Sequence, residues 1–125
     1  MKIPAGYQTV MPYLIVAGAE KLIDFTQAVF EAKVTHRTMR DEEKNIIMHA
    51  EIMIGDSTIM FADATEQYAP QTAGMFVYVE DADEAYQKAL DAGAVSVLEP
   101  ADQSYGRSCG VTDPLGNTWW ITSEK

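Results

Sequence analysis

A weak internal repeat limits the folds open to this chain. Residues 13–16 read Tyr-Leu-Ile-Val, and residues 76–79 read Phe-Val-Tyr-Val, 63 positions later. Residues 55–58 (Gly-Asp-Ser-Thr) match residues 116–119 (Gly-Asn-Thr-Trp), 61 positions later. Each half alone is too small to bury an adequate core, so we expect two halves that share one core.

Hydrophobic periodicity predicts a β-α-β-β-β order in the first half. The amphipathic helix is expected over residues 19–32, where apolar side chains recur at helical spacing. The strands of this half are predicted at residues 8–16, 34–40, 46–54 and 58–62. Residues 63–73 have no period and contain Pro70, which indicates a linker.

The second half is predicted to repeat the same order. Its helix should run over residues 82–92, with Asp81 as N-cap, Glu84 three residues later and Gly93 just beyond its end. Strands are predicted at residues 75–79, 95–98 and 104–111, with a loop through Pro100, and a last strand that ends at Ser123.

A tight turn at residues 113–117 should join the last two strands. Pro114 and Gly116 have the backbone preferences of turn positions. Asp113 and Asn117 have short side chains that can bond the turn backbone. The stretch therefore predicts a hairpin that holds two strands in register.

Composition excludes several classes of function. The formal net charge of -10 argues against nucleic acid as a partner, because phosphate binding needs clustered Lys and Arg. No apolar run is long enough to span a bilayer. Cys109 is the only cysteine, so no intrachain disulfide can form, and a cytoplasmic location is expected.

Three stretches carry a resemblance to a known family: residues 11–16 with 22–25, residues 49–56, and residues 113–117. In this order and spacing the chain resembles the vicinal oxygen chelate superfamily, the glyoxalase and bleomycin-resistance proteins, and is most similar to their PhnB-like group. The resemblance implies an α+β fold in which two β-α-β-β-β modules form a curled, cup-shaped mixed sheet. It also implies one domain over residues 1–125, with modules at about 7–63 and 74–123, and a homodimer.

The resemblance also implies where a divalent metal would be bound, and the residues there do not suit one. Metal-dependent relatives place His, Gln or Glu at positions that fall at Met11, Met60, Gly74 and Trp120 in this chain. Hard divalent ions need carboxylate, imidazole or carbonyl ligands. We therefore expect no metal, no cofactor and no metal-dependent glyoxalase activity.

What remains is a cup that binds a small organic molecule or is filled by side chains, and both alternatives stay open. The expected lining is Met11, Tyr13, His49, Glu51, Met53, Met60, Phe76, Tyr78, Tyr105, Arg107 and Trp120. The net charge, Glu51 and the aromatic side chains favour a cationic or aromatic ligand.

An enzymatic alternative depends on three of the lining residues. His49 and Glu51 lie two apart on one strand and point the same way, so they could serve as base and orienter. With Arg107 they are the candidate catalytic residues of a lyase or a dioxygenase-like enzyme. The other interpretation is a hydrogen-bonded strand histidine and a glutamate paired with an arginine.

Overall fold

The computed structural model describes residues 1–124, and the elements in that range follow the predicted order. The first half consists of β1 (Tyr13–Val16), α1 (Ala19–Phe30), β2 (Lys33–Asp41), β3 (Ile46–Ile54) and β4 (Ser57–Asp63). The second half consists of β5 (Gly74–Tyr78), α2 (Ala82–Asp91), β6 (Val95–Gln103), β7 (Gly106–Thr112) and β8 (Thr118–Ser123).

Each half forms its own four-stranded mixed sheet. Sheet 1 has the strand order β1-β4-β3-β2, and sheet 2 has the order β5-β8-β7-β6. The first strand of each half pairs in parallel with the last, and the other pairings are antiparallel. Two β-α-β-β-β modules with the same topology confirm the predicted α+β fold class.

Helices α1 and α2 pack on one face of their own sheets and also contact each other. Helix α1 buries Leu22, Phe25 and Val29 against β3 and β4, whereas α2 buries mainly small alanines. The two halves meet where the ring centroids of Phe30 and Trp119 lie 4.8 Å apart. Each sheet therefore has one face covered by a helix, and we call the opposite face its open face.

The last strand of each half also helps to begin that half's helix. Asp63, at the end of β4, accepts hydrogen bonds through Oδ1 from the backbone amides of Gly18 (3.0 Å) and Ala19 (2.8 Å). In the second half, the Ser123 hydroxyl accepts from the Ala82 amide at 3.3 Å. These contacts satisfy amide groups that a helix N-terminus leaves without partners.

The predicted caps of α2 are also present. Asp81 accepts from the Glu84 amide at 3.1 Å, and Gly93 follows the helix with a positive φ of 101°. The Glu84 side chain does not complete a reciprocal capping box, because it pairs with Lys88 at 2.9 Å.

A buried carboxylate holds the predicted turn at residues 113–117. Asp113 accepts from the backbone amides of Leu115 (2.8 Å) and Asn117 (3.0 Å) through Oδ1. Its Oδ2 accepts from the Asn117 side-chain amide (3.0 Å) and from the indole N–H of Trp119 (2.8 Å). Asn117 in turn accepts from the Ala73 amide at 3.0 Å, so the turn also ties down the start of β5.

Two predicted boundaries were wrong. The first strand begins at Tyr13 rather than at residue 8, and residues 1–12 form an irregular N-terminal arm that ends at Pro12. Strand β6 continues through Pro100, where a loop was predicted. The ladder tolerates this proline because β6 is an edge strand and its register is irregular between Leu98 and Ala101. Neither helix within residues 1–124 has the length and apolar character needed to cross a membrane.

Candidate functional site

The open faces of the two sheets carry corresponding rows of side chains. In sheet 1 the row consists of one residue from each of β1, β4, β3 and β2, which pair across the strands: Tyr13, Met60, Glu51 and His36. In sheet 2 the corresponding row comes from β5, β8, β7 and β6 and consists of Phe76, Trp120, Gly110 and Leu98. The same backbone frame therefore presents a polar row in one half and an apolar row in the other.

On sheet 1 the polar side chains form one continuous hydrogen-bonded chain. The Tyr7 hydroxyl donates to Glu51 Oε1 at 2.5 Å, and Glu51 Oε2 lies 2.7 Å from His49 Nε2. His49 Nδ1 lies 2.9 Å from the Tyr13 hydroxyl, and the two rings stack with centroids 5.5 Å apart. His36 lies beside this chain, with its ring centroid 5.6 Å from that of His49. We call Tyr7, Glu51, His49 and Tyr13 the relay.

The N-terminal arm brings Tyr7 to this face. The side chain of Gln8 bonds the backbone of Thr58 twice, donating to its carbonyl at 2.8 Å and accepting from its amide at 3.2 Å. The Thr58 hydroxyl donates to the carbonyl of Gly6. The arm therefore runs beside the relay and covers one end of the open face of sheet 1.

The relay keeps the Glu51 carboxyl ionised. Burial by itself raises the pKa of Glu51, but hydrogen bonds from Tyr7 and His49 outweigh burial and lower the pKa below its ordinary value. The hydrogen bond to the carboxylate also raises the pKa of the Tyr7 phenol. At neutral pH the relay consequently has a carboxylate at its buried centre and a neutral phenol on its arm side.

On sheet 2 the open face carries exposed aromatic rings. The Phe76 ring lies edge-on to Tyr78 with centroids 5.2 Å apart, and its centroid is 6.4 Å from that of Tyr105. Trp120, the cross-strand partner of Phe76, is 38% exposed, whereas its neighbour Trp119 is buried. We call Phe76, Tyr78, Tyr105 and Trp120 the aromatic cluster.

A glycine allows the Trp120 ring to lie close against its sheet. A Cβ atom on Gly110 would lie 2.5 Å from Cζ3 and 2.7 Å from Cε3 of the Trp120 ring. The indole therefore rests directly on the backbone of β7. Any larger residue at position 110 would push the ring away, so Gly110 shapes the aromatic surface without contributing a side chain to it.

Two clefts lie between the halves and border the aromatic cluster. The larger, of about 1060 Å³, contacts Tyr78, Tyr105 and several acidic side chains around the start of α2. The smaller, of about 470 Å³, lies between the β3–β4 turn and β5 and contacts Phe76 and Gln8.

The structure brings most of the predicted lining residues together, but as two groups. Tyr13, His49 and Glu51 join on sheet 1, where Met60 pairs across strands with both Tyr13 and Glu51. Met53 follows two residues after Glu51 on β3, and Met11 lies in the N-terminal arm. The other group is the aromatic cluster on sheet 2.

Arg107 is placed apart from both groups. Its guanidinium binds the Asp83 carboxylate of α2 through two hydrogen bonds of 3.0 Å and contacts Asp102 at 3.5 Å. These partners raise the pKa of Arg107. Arg107 lies two and four residues before the buried residues Cys109 and Val111, so on a strand it shares their face, which α2 covers. This alternation could have shown from the sequence that Arg107 faces α2. Tyr7 had no such signal, because it lies 44 positions from Glu51 in an arm without periodicity.

The positions that bind metal in related proteins do not suit a divalent ion in this chain. They offer thioethers at Met11 and Met60, no side chain at Gly74 and an indole at Trp120. Asp63, a carboxylate near a strand end, binds three backbone amides, including that of Ile47 at 2.7 Å. In the part of the chain that the structure describes, no three His, Cys, Asp or Glu side chains group as a metal site would require.

Comparison with known proteins agrees with this architecture. A chain of Mycobacterium bovis, named "Uncharacterized protein Mb0911c", is 32% identical over 120 residues, which covers 86% of this chain and 78% of that one. The PhnB protein from Bacillus cereus, titled a putative 3-demethylubiquinone-9 3-methyltransferase, has a TM-score of 0.75 at 16% identity and covers 93% of this chain and 99% of its own. TnmS3, titled an antibiotic binding protein from Streptomyces sp. CB03234, has a TM-score of 0.69 at 15% identity, covering 94% and 98%.

At such identities the two solved structures show a shared fold. The family is shown by a sequence model described as "Glyoxalase/Bleomycin resistance protein/Dioxygenase superfamily", which matches residues 7–121. The match spans both modules and confirms the resemblance inferred from the three stretches of sequence. The chain therefore belongs to the glyoxalase/bleomycin resistance protein/dioxygenase superfamily.

Proposed function

We propose that this protein binds a small organic molecule, aromatic or cationic, against the open face of sheet 2. The observation that carries the proposal is the aromatic cluster. Its four rings are exposed together on one face, beside clefts that lie between the two halves. On soluble proteins, exposed apolar patches of this kind often mark binding surfaces.

The chemistry of the cluster favours flat or positively charged ligands. Aromatic rings attract cations to their faces, by about 0.5–1 kcal/mol at exposed sites and more where water is excluded. Acidic side chains in the larger cleft, among them Glu31 and Glu80, outnumber its one lysine, Lys88, and add to this preference, as does the net charge of -10. The antibiotic-binding title of TnmS3, which shares the fold, supports a small-molecule role.

Proflavine, a planar aromatic cation, is a suitable probe for this site. We expect it to quench the tryptophan fluorescence of the protein, most strongly that of the exposed Trp120. By calorimetry, Trp120→Ala and Phe76→Ala should each weaken binding about tenfold, the equivalent of about 1.4 kcal/mol.

Tyr68→Ala is the matched control for these variants. Tyr68 is an exposed aromatic residue outside the helices and strands, in the segment that joins the two halves, and this substitution should leave proflavine binding unchanged. Equal affinity of wild type and Trp120→Ala would contradict the proposal. So would a preference for anionic aromatics that is lost in Arg107→Ala.

We also propose that the protein is a homodimer. Strand β6 lies at the edge of sheet 2 and exposes Val95, Val97 and Leu98, each about half exposed or more. An exposed apolar edge strand is open to pairing with another chain. A strand edge can pair with its own copy about a two-fold axis, which makes a second copy the simplest partner.

Light scattering tests the homodimer directly. We expect a mass of twice 13.8 kDa, with dimerisation stronger at high salt because each copy carries a net charge of -10. The double substitution of Val97 and Leu98 by lysine should give monomers. Val10→Lys, on an exposed apolar residue of the N-terminal arm, should not. A monomer mass for the wild type at micromolar concentration would contradict the proposal.

A further inference from the structure

The direction of hydrogen bonding along the relay is determined by its chemistry. An ionised carboxylate can only accept, so Glu51 requires a proton on His49 Nε2 and on the Tyr7 hydroxyl. A neutral imidazole with its proton on Nε2 presents a lone pair at Nδ1. With His49 in this neutral form, the remaining hydrogen bond is a donation from the Tyr13 hydroxyl to His49 Nδ1, at 2.9 Å.

The relay also runs from the interior to solvent. The Glu51 side chain is 9% exposed and that of His49 is 25% exposed, while Tyr13 is 48% exposed. The groups that hold the imidazole are therefore shielded, and the group at the free end is accessible to a bound molecule. A chain in which a carboxylate orients an imidazole, which in turn accepts from a hydroxyl, is the arrangement that activates hydroxyl groups in enzymes.

We propose that the relay is an acid–base site, in which Tyr13 exchanges a proton with a neutral organic molecule whose C–H bond is made acidic by a neighbouring electron-withdrawing group. Tyr13 is the catalytic residue. His49 and Glu51 are positioning residues that accept the phenol proton and stabilise the resulting charge. The proposal goes beyond ligand binding on sheet 2 and does not depend on it.

The proton transfer balances without metal or redox chemistry. As the C–H bond of the substrate breaks, its proton goes to the Tyr13 oxygen, and the Tyr13 proton goes to His49 Nδ1. The C–H electron pair stays on the substrate, which leaves as an anion. The imidazolium faces the Glu51 carboxylate at 2.7 Å until it releases its proton to water.

Each group that faces His49 has a separate place in this scheme. Glu51 on the same strand stabilises the imidazolium, and Tyr13 on β1 carries the exchanged proton. Tyr7, on the arm, saturates the second carboxylate oxygen of Glu51. His36 on β2 lies beside His49 but bonds the Thr38 hydroxyl at 2.7 Å, so it is outside the relay. His36 is consequently the matched control for His49.

Nitrogen-15 NMR of the imidazole ring tests the predicted proton positions without any substrate. We expect the neutral ring of His49 to be the Nε2–H tautomer, with Nδ1 as acceptor. Glu51→Gln should weaken the signature of the Nε2–H hydrogen bond. A Nδ1–H tautomer in the wild type would overturn the proposal, because His49 could then not accept the Tyr13 proton.

The ring opening of 5-nitrobenzisoxazole tests proton abstraction itself. A base removes its C–H proton, the N–O bond breaks, and a coloured nitrile-bearing phenolate forms, so the rate is read by absorbance. We expect Tyr13→Phe and His49→Gln each to lower the protein-dependent rate about tenfold or more, and His36→Asn to change it less than twofold. Circular dichroism and thermal unfolding check that each variant is folded.

The pH profile separates a positioning role of Glu51 from a structural one. Glu51→Gln removes the charge that stabilises the imidazolium, so the pH of half-maximal rate should move to lower values and the plateau should fall. A folded Glu51→Gln variant with an unmoved profile overturns the proposal. It is overturned equally if Tyr13→Phe reacts as fast as the wild type, or if His36→Asn loses as much rate as His49→Gln. Proflavine binding is measured separately, so failure of one proposal is distinguishable from failure of the other.

Discussion

Replacing Asp113 should strongly destabilise the protein. Its side chain is buried, and its two oxygens accept four hydrogen bonds, from Leu115, Asn117 twice and Trp119. Alanine would leave the Trp119 indole N–H, the Asn117 side-chain amide and the Asn117 backbone amide buried without an acceptor. Both residues are at most 1% exposed, so water cannot replace the lost partner without local opening.

The cost follows from the number of donors left without a partner. Each buried polar group that loses its acceptor costs about 1–3 kcal/mol, so three such groups, each taken toward the lower end of that range, should make Asp113→Ala lower the free energy of unfolding by about 4 kcal/mol. Asp113→Asn keeps the shape and one acceptor oxygen, but its amide N–H₂ then faces another donor, and about 2 kcal/mol should be lost. At about 4 °C per kcal/mol for a chain of this length, Tm should fall by about 15 °C and 8 °C.

Urea denaturation with linear extrapolation measures both losses, and the other half of the molecule supplies a control. Asp56 lies in the β3–β4 turn, at the place in the first half that the 113–117 turn has in the second, and it is exposed. Asp56→Asn should therefore change the free energy of unfolding by less than about 0.5 kcal/mol. If Asp113→Asn stays within that same margin of the wild type, the buried carboxylate does not hold the turn as argued.

Three further predictions concern the open faces. Gly110→Ala should displace the Trp120 ring and weaken proflavine binding about tenfold with little change in Tm, because the added Cβ meets that ring at 2.5 Å; unchanged binding would contradict this. The folded pKa of Glu51 is below the ordinary 4.5, so the stability that its hydrogen bonds add is fully present above that pH and is lost as pH falls through the folded pKa. The free energy of unfolding of the wild type, measured relative to Glu51→Gln, should therefore fall on acidification below about pH 5. Elemental analysis after dialysis should find no stoichiometric zinc, nickel or manganese; one ion per chain that disappears in His49→Ala would refute this.

Much of the fold could be predicted because it depends on local patterns. The amphipathic stripe of α1 and the N-cap at Asp81 are set by neighbours within one or two turns, and both are confirmed. The hydrogen bonds of Asp113 within its turn were predicted for the same reason. Its bond to the Trp119 indole was not, because it depends on how β8 leaves the turn.

Strand alternation predicted only part of the candidate site. His49 and Glu51 lie two apart on β3, so their common face followed from the period of a strand. Their partners Tyr7 and Tyr13 lie 44 and 36 positions away, and no local pattern links them. The family resemblance placed Tyr13 in the same lining, whereas Tyr7 was not predicted. For Arg107, strand alternation and chemistry gave opposite predictions. Its charge suggested a place in the site, but its alternation with buried residues of β7 indicates that it lies on the face covered by the helix.

The two modules show how one backbone frame can serve two chemistries. Tyr13 and Phe76 lie at equivalent places beside β4 and β8, and Met60 corresponds to Trp120. The decisive difference lies one strand further, where sheet 1 has Glu51 and sheet 2 has Gly110. A carboxylate at that place binds hydroxyl and imidazole groups in a polar chain, whereas a glycine leaves room for an indole to lie against the backbone. A side chain at position 110 would displace the indole, and loss of the carboxylate at position 51 would remove the acceptor that orients His49. The division of the molecule into a polar and an aromatic open face therefore depends on these two equivalent positions.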